Sequence, residues 1–316
     1  MEDNQVRRKL YYGISSAAGW SWGVSFLVTY TLIHEKGVIP FAVWAFFNSL
    51  AIPIFGVLFK KLSRLKEIMV NNLWLVYFMA IVQCFSIIIN LQAMFQMGTL
   101  IGLSSSMSTL ISLFAGGIFI ISVIKNGYKT VLYSNVIQWL ISILAIIILI
   151  FICFSGNKEV SLRAYTDVNS IYWSLYAGIL LLFSPFVDMQ GWVRAIEIKK
   201  NRDFEAFGLS GIFFAIYMLL ILVLSQFELS VHMGIILLFL VIMISTSTIQ
   251  PNAHALNVNF KYGWIGALIA CLLWPLLSRF GILTLWTYLA SFRAIVVALV
   301  FMYMGYEKIR ELVIFK

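Results

Sequence analysis

Ten apolar stretches alternate with short polar turns, at residues 11–33, 38–59, 70–97, 100–124, 128–153, 170–193, 207–227, 231–257, 262–280 and 282–304. Each approaches or exceeds the roughly 20 residues that an α-helix needs to cross a hydrocarbon core. Chain crossing lipid finds no water for its amides, so the pattern predicts helices. Three stretches depart from uniform apolarity. The first contains GISSAAGWSWG, with Gly13, Gly19 and Gly23 around Ser15 and Ser16. The sixth contains LLFSPFVDMQGW, where Pro185 removes a backbone donor and disfavours helix at Ser184. The eighth turns polar halfway: after LLFLVIMI come Ser245, Thr246, Ser247 and Thr248, then Gln250, Asn252 and His254. The glycines of the first stretch either permit close helix packing or mark an unwound segment lining a cavity. Their placement opposite Pro185 in the other half of the chain favours the unwound reading.

Composition agrees with the pattern. The chain is 62% hydrophobic and 11% charged, against about 45–50% and about 25% for soluble proteins. It reads as a single transmembrane domain over residues 1–316. The net charge of +9 is a topology signal. Arg7, Arg8 and Lys9, the 60–66 loop, Lys125 and Lys129, the 194–202 segment, Lys261 and the C-terminus put seventeen Lys and Arg on one side. Lys36, Lys158, Arg163 and Arg279 lie on the other. The positive-inside rule then makes both termini cytoplasmic and leaves nucleic-acid binding without support. Abundant Ile, Asn and Lys point to a bacterial plasma membrane. Cys84, Cys153 and Cys271 lie far apart in or beside apolar segments and read as small hydrophobes.

Ten spans with both ends on one side divide into two five-helix repeats of opposite orientation, about 11–153 and 170–304. This is an architecture of many secondary transporters, with the first helix of each half interrupted at the substrate site. Four motifs carry a resemblance to a family. They are the Ser-rich first helix with Gly19-Trp20, Tyr30 and Gly37; NGYKTVLYSNVIQWL with Gly127, Lys129, Val131, Ser134, Asn135 and Gln138; DMQGWVRA with Gln190 and Arg194; and the hydroxyl run of the eighth helix. In this order they resemble the sodium:solute symporters, which share the LeuT-like 5+5 core. Members usually carry further helices around the core, so the chain reads as a short, core-only member.

The resemblance implies a sodium ion between the first and eighth helices. Its ligands would be the carbonyls of Ile14, Ala17 and Ile242 and the hydroxyls of Ser245 and Thr246. Hard cations favour oxygen ligands, and residues three and four apart share a helix face. The rival reading is that each hydroxyl bonds the carbonyl one turn back. Many members carry an acid where this chain has Ser16, and Asp where it has Asn135. Both replacements keep an oxygen and lose the charge.

Substrate contacts are expected from Ser16, Trp20, Gln83, Trp173 and Tyr176, since small-molecule sites combine aromatic walls with a few polar groups. Asn135, Asp188 and Arg194 are candidates for gating and coupling; Asp188 and Arg194 also read as a plain interfacial pair. Arg293, midway along the tenth helix, is expected to pair with a carbonyl or Asp188 rather than meet a substrate carboxylate. His254 reads as a packing histidine rather than a proton relay. Three histidines and sparse carboxylates support no enzyme and no cofactor beyond the sodium ion. The expected partners are lipid, sodium and a small polar solute. The expected function is sodium-coupled symport by alternating access. Alternatives are a proton-coupled or uncoupled carrier, or a transport-inactive homologue acting as sensor or partner subunit.

Overall fold

The computed structural model describes residues 2–61, 72–125, 127–156, 168–227 and 231–314. Arg64, Lys66, Lys158, Arg163 and Lys316, used above to orient the chain, lie outside them. Every regular element among the described residues is helical: α1 Glu2–Trp20, α2 Gly23–Lys36, α3 Val38–Lys61, α4 Leu73–Leu100, α5 Ser105–Ser122, α6 Tyr128–Ser155, α7 Val168–Phe183, α8 Met189–Asn201, α9 Glu205–Leu224, α10 Val231–Asn259, α11 Gly263–Leu277 and α12 Ile282–Ile314. A single 3₁₀ turn, Ser184–Val187, separates α7 from α8. Eight of the described segments are long and apolar enough to cross a membrane. Two expected spans fall short for separate reasons. The first is divided into α1 and α2, and α11 has only 15 residues. The protein is an all-α, multi-pass membrane protein.

Large apolar side chains face outward along the long helices, among them Phe46, Leu110, Phe114, Phe151, Ile212 and Leu276. In water this would be a liability; against lipid tails it costs nothing. The interior holds the polar side chains, including Asn48, Gln83, Ser86, Asn90, Gln92, Asn135 and the Ser245–Thr248 run. Three helix pairs dominate the packing: α3 along α7, α1 along α9 and α4 against α10.

Several basic clusters gather on one face. Arg8 is ion-paired with Asp203, and Lys9 with Glu205 at 2.6 Å, which ties the start of α1 to the α8–α9 turn. The Lys60 ammonium lies 5.2 Å from the Phe204 ring centre, and that of Lys199 lies 5.8 Å from Phe59. At the other end Lys36 lies over Trp173 at 5.5 Å. There a surface recess of about 300 Å³ lies among the ends of α2 and α4 and the start of α12.

Candidate functional site at two helix breaks

Each break has a local cause. Pro185 stops α7, the chain makes one 3₁₀ turn, and Asp188 restarts α8 by accepting from Gln190 N–H at 3.1 Å. At the other break the deciding bonds come from distant helices. Trp22 N–H turns to the Trp20 carbonyl at 3.0 Å instead of continuing the helix onto Ala18. Trp139 Nε1 on α6 donates to Ser21 Oγ at 2.9 Å, and Ser21 Oγ donates to the Ala17 carbonyl at 2.8 Å. Gly23 N–H, an orphan at the start of α2, donates to Asn90 Oδ1 on α4 at 2.9 Å. Asn90 in turn donates to the Ser86 carbonyl at 2.8 Å.

The break therefore falls later than the residues suggested. Ile14 and Ala17 lie inside intact α1. The Ala17 carbonyl already accepts from both the amide and the hydroxyl of Ser21. The carbonyls of Ala18, Gly19, Trp20 and Ser21 lose their helical amides; Gly19 accepts instead from Trp22 Nε1 and Gln190 Nε2, and Trp20 from Trp22 N–H, which leaves those of Ala18 and Ser21 without a replacement donor. Ser245 faces this point: a Cβ added to Gly23 would lie 1.8 Å from Ser245 Oγ.

Among the four hydroxyls of α10 the two readings divide. Thr246 donates to the Ile242 carbonyl at 2.8 Å, and Ser247 and Thr248 both donate to that of Ile244. These three satisfy themselves one turn back. Ser245 Oγ is buried without a hydrogen-bond partner. Ser245 Oγ lies beside the break, and the next residue, Thr246, bonds the Ile242 carbonyl. Asn135 on α6 is fully buried, and neither end of its amide has a hydrogen-bond partner.

Between the breaks lie two small cavities separated by Trp20. The larger, about 30 Å³, is lined by Ser16, Gly19, Trp20, Phe55, Asp188 and Arg194. The smaller, about 20 Å³, is lined by Trp20, Trp22, Ser25, Asn48, Trp286 and Arg293. Each has room for one or two waters. Trp20 holds its position by donating to Asn48 Oδ1 at 2.7 Å. The Arg194 guanidinium packs against Gly19 so closely that an added Cβ would lie 2.3 Å from it. Arg194 Nη1 also donates to Gln190 Oε1 at 2.9 Å. Gln190 Nε2 reaches both the Gly19 carbonyl and Asp188 Oδ2 at 3.3 Å. Arg194 and Gln190 therefore join the two breaks directly. No protein-family model, curated protein or solved structure matches the chain.

The expected site residues sort accordingly. Ser16 and Trp20 line the cavities, and Gln83 is fully buried beside Asp188. Trp173 and Tyr176 do not join them. Tyr176 is 50% exposed and bonded to Ser291, while Trp173 packs at the far end of α7 between Lys36 and Trp286. Asp188 and Arg194 sit at the break between α7 and α8 and line one cavity, rather than closing the end of the bundle. Among the described residues, the ion pairs at that end are those of Arg8 and Lys9. His254 lines a third small cavity with Gln190 and Arg194. Asn48, Ser86, Asn90 and Ser21 escaped the sequence reading. A visible signal was there for the two asparagines, because amides within apolar spans need buried partners.

Arg293 lies about 17 Å along α12 from Ile282, close to mid-bilayer depth. Its Nη2 donates to Ser86 Oγ at 2.8 Å, and its guanidinium carbon lies 4.5 Å from the Trp22 ring centre. A cation–π contact in a desolvated place is worth about 2 kcal/mol, near the roughly 2.5–3.5 kcal/mol insertion cost of a central arginine.

Proposed function

We propose that the protein is a secondary transporter of a small polar solute, built as two inverted five-helix repeats and working by alternating access. The observation that carries this reading is the pair of helix breaks, brought together at mid-depth around buried polar groups and joined by Arg194 and Gln190. Unwound chain inside a membrane is tolerated where protein or a cavity receives its free backbone groups, and transporters place substrate there.

The helix pairing supports the repeats. Let α1 and α2 correspond to α7 and α8, and α3, α4, α5 and α6 to α9, α10, α11 and α12. The packing of α3 on α7 then has its counterpart in α9 on α1, that of α4 on α5 in α10 on α11, and that of α6 on α10 in α12 on α4. The contact of α1 with α6 matches that of α7 with α12. The pairs α4–α10, α3–α9 and α5–α11 map onto themselves.

Within this reading the coupling ion is sodium, held by Ser245 Oγ, Thr246 Oγ1 and the carbonyls of Ile242, Ala18 and Ser21. No carboxylate joins that set, which favours weak binding, or a carrier that has lost its coupling. The termini and the Arg8–Asp203 pair face the cytoplasm, following the basic clusters on that face.

The test is melting of the purified protein in sodium, lithium, potassium or choline chloride at equal ionic strength, with Ser245→Ala beside the wild type. A ligand that binds only the folded state stabilises it by about 1.4 kcal/mol at tenfold its Kd. A sodium-selective rise lost in Ser245→Ala is expected. Equal melting in all four salts removes sodium from the reading. Uptake of a labelled solute panel into proteoliposomes tests transport itself.

A further inference from the structure

The buried charges at the centre do not balance. Among the described residues, the ionisable acidic and basic side chains buried between the two breaks and α12 are Asp188, Arg194 and Arg293. That is two cations for one anion. Asp188 accepts from the backbone N–H and the side-chain amide of Gln190, and it lies near Gln83, Arg194 and Arg293. No carboxylate lies within ion-pairing distance of Arg293 among the described residues. Its hydrogen-bond partner is the neutral hydroxyl of Ser86, and its Nε is buried without one. The residue is only 3% exposed. Asp188 attracts Arg293 from beyond hydrogen-bonding distance, so the expected partnership with Asp188 is met only as a longer-range attraction and not as a direct ion pair.

We infer that Arg293 is the anchor for an anionic group, a carboxylate, on the transported solute, received in the cavity between Trp20, Trp22, Trp286 and Arg293. The guanidinium presents a planar fork of donors matched to a carboxylate, and a buried cation with no carboxylate in direct contact gains from one. The start of α2 adds to this, because Trp22 and Gly23 are at a helix N-terminus, where the backbone dipole favours negative charge. Asn48 and Ser25 supply further polar groups at the same cavity, and the indoles give it apolar walls. Any solute beyond the smallest must displace Trp20 or Trp286, since the space available is about 20 Å³. The transport reading underlies the word solute; the anion seat itself stands on Arg293 and its cavity.

The experiment uses formate as probe, the carboxylate that demands least rearrangement, with formamide as its neutral match in shape and chloride as an inorganic anion. Purified full-length protein is melted against each at constant ionic strength, with gluconate, too large for the cavity, as the balancing salt. A saturable rise with formate is expected, absent with formamide, weaker with chloride and lost in Arg293→Gln. Should that variant fail to fold, Arg293→Lys serves, since it keeps the charge and loses the fork. Its half-maximal formate concentration is expected to be at least about tenfold higher. The inference is overturned by no formate response, by an equal response to formamide or chloride, or by wild-type formate binding in either variant. Formate binding with no solute flux in proteoliposomes removes the transport reading and leaves the seat. Flux of a neutral solute with no formate binding removes the seat and leaves transport.

Discussion

Gly23→Ala puts the geometry of the first break to a quantitative test. The new Cβ would lie 1.8 Å from Ser245 Oγ, 3.0 Å from its Cβ and 3.3 Å from its Cα. Overpacking in a filled core costs about 1–3 kcal/mol, and an overlap this deep belongs at the upper end, about 3 kcal/mol. Ser245→Gly removes the first two obstacles and leaves only the tight contact with Cα. Because Ser245 Oγ has no hydrogen-bond partner, its loss breaks none. The single change Ser245→Gly should then cost about 0.5 kcal/mol, the helix propensity of glycine against serine. The double variant should cost only about 1 kcal/mol more than Ser245→Gly alone, giving a coupling energy of about 2 kcal/mol. Equilibrium unfolding in mixed detergent and dodecyl sulfate micelles measures all four corners of the cycle. Additivity within about 0.5 kcal/mol is what distant sites give, and that result would refute the placement of Ser245 against the break.

Three further outcomes follow from the same bonds. Asn90→Leu strands the Gly23 amide and should cost about 1–3 kcal/mol in the same unfolding assay, with faster hydrogen exchange confined to the break. Trp20→Phe keeps a ring but strands Asn48 Oδ1, again at about 1–3 kcal/mol; adding Asn48→Ala should recover part of the loss, and simple additivity of the two changes counts against the bond. Arg8→Ala should destabilise more than Asp203→Asn, because Asp203 is fully buried while Arg8 is 43% exposed. Removing the arginine leaves a buried carboxylate alone, whereas the asparagine leaves an exposed cation in water, so equal melting temperatures for the two variants would contradict the pairing.

The long helices were legible because lipid demands a continuous apolar run and closes backbone hydrogen bonds within it. The break at Pro185 was legible for a covalent reason, the missing amide. The first break was visible in outline and misplaced in detail. Gly13, Gly19 and Gly23 are all permissive, and what decides between them is Trp139 reaching Ser21 and Asn90 reaching Gly23, from helices 118 and 67 residues away. No local pattern carries that information. The same holds for the hydroxyls of α10: four side chains of one chemistry stand in a row, and only neighbouring α2 singles out Ser245. Trp173 and Tyr176 share a helix face by spacing, yet that face turns toward Lys36, Ser291 and lipid rather than inward. Spacing fixes which residues point together, and packing fixes where they point.

The proposed cation and anion seats meet on one element, and this gives coupling a physical form. Gly23 lies against Ser245 on one side, and its amide is held by Asn90. Asn90 holds the Ser86 carbonyl, and the Ser86 hydroxyl accepts from Arg293, whose guanidinium covers Trp22, the residue before Gly23. The loop from Ser245 through α2, α4 and α12 back to Trp22 is closed by direct contacts. Opposite charges at its two ends relieve opposite deficits: a cation satisfies the carbonyls at the end of α1, and an anion satisfies Arg293 beside the start of α2. A helix broken at mid-depth exposes both kinds of group within a few residues of each other. Filling either seat fixes the same two or three residues, so whichever ligand binds second meets a segment already ordered and loses less conformational freedom in binding. Energetic coupling between ion and solute then needs no carboxylate shared between them.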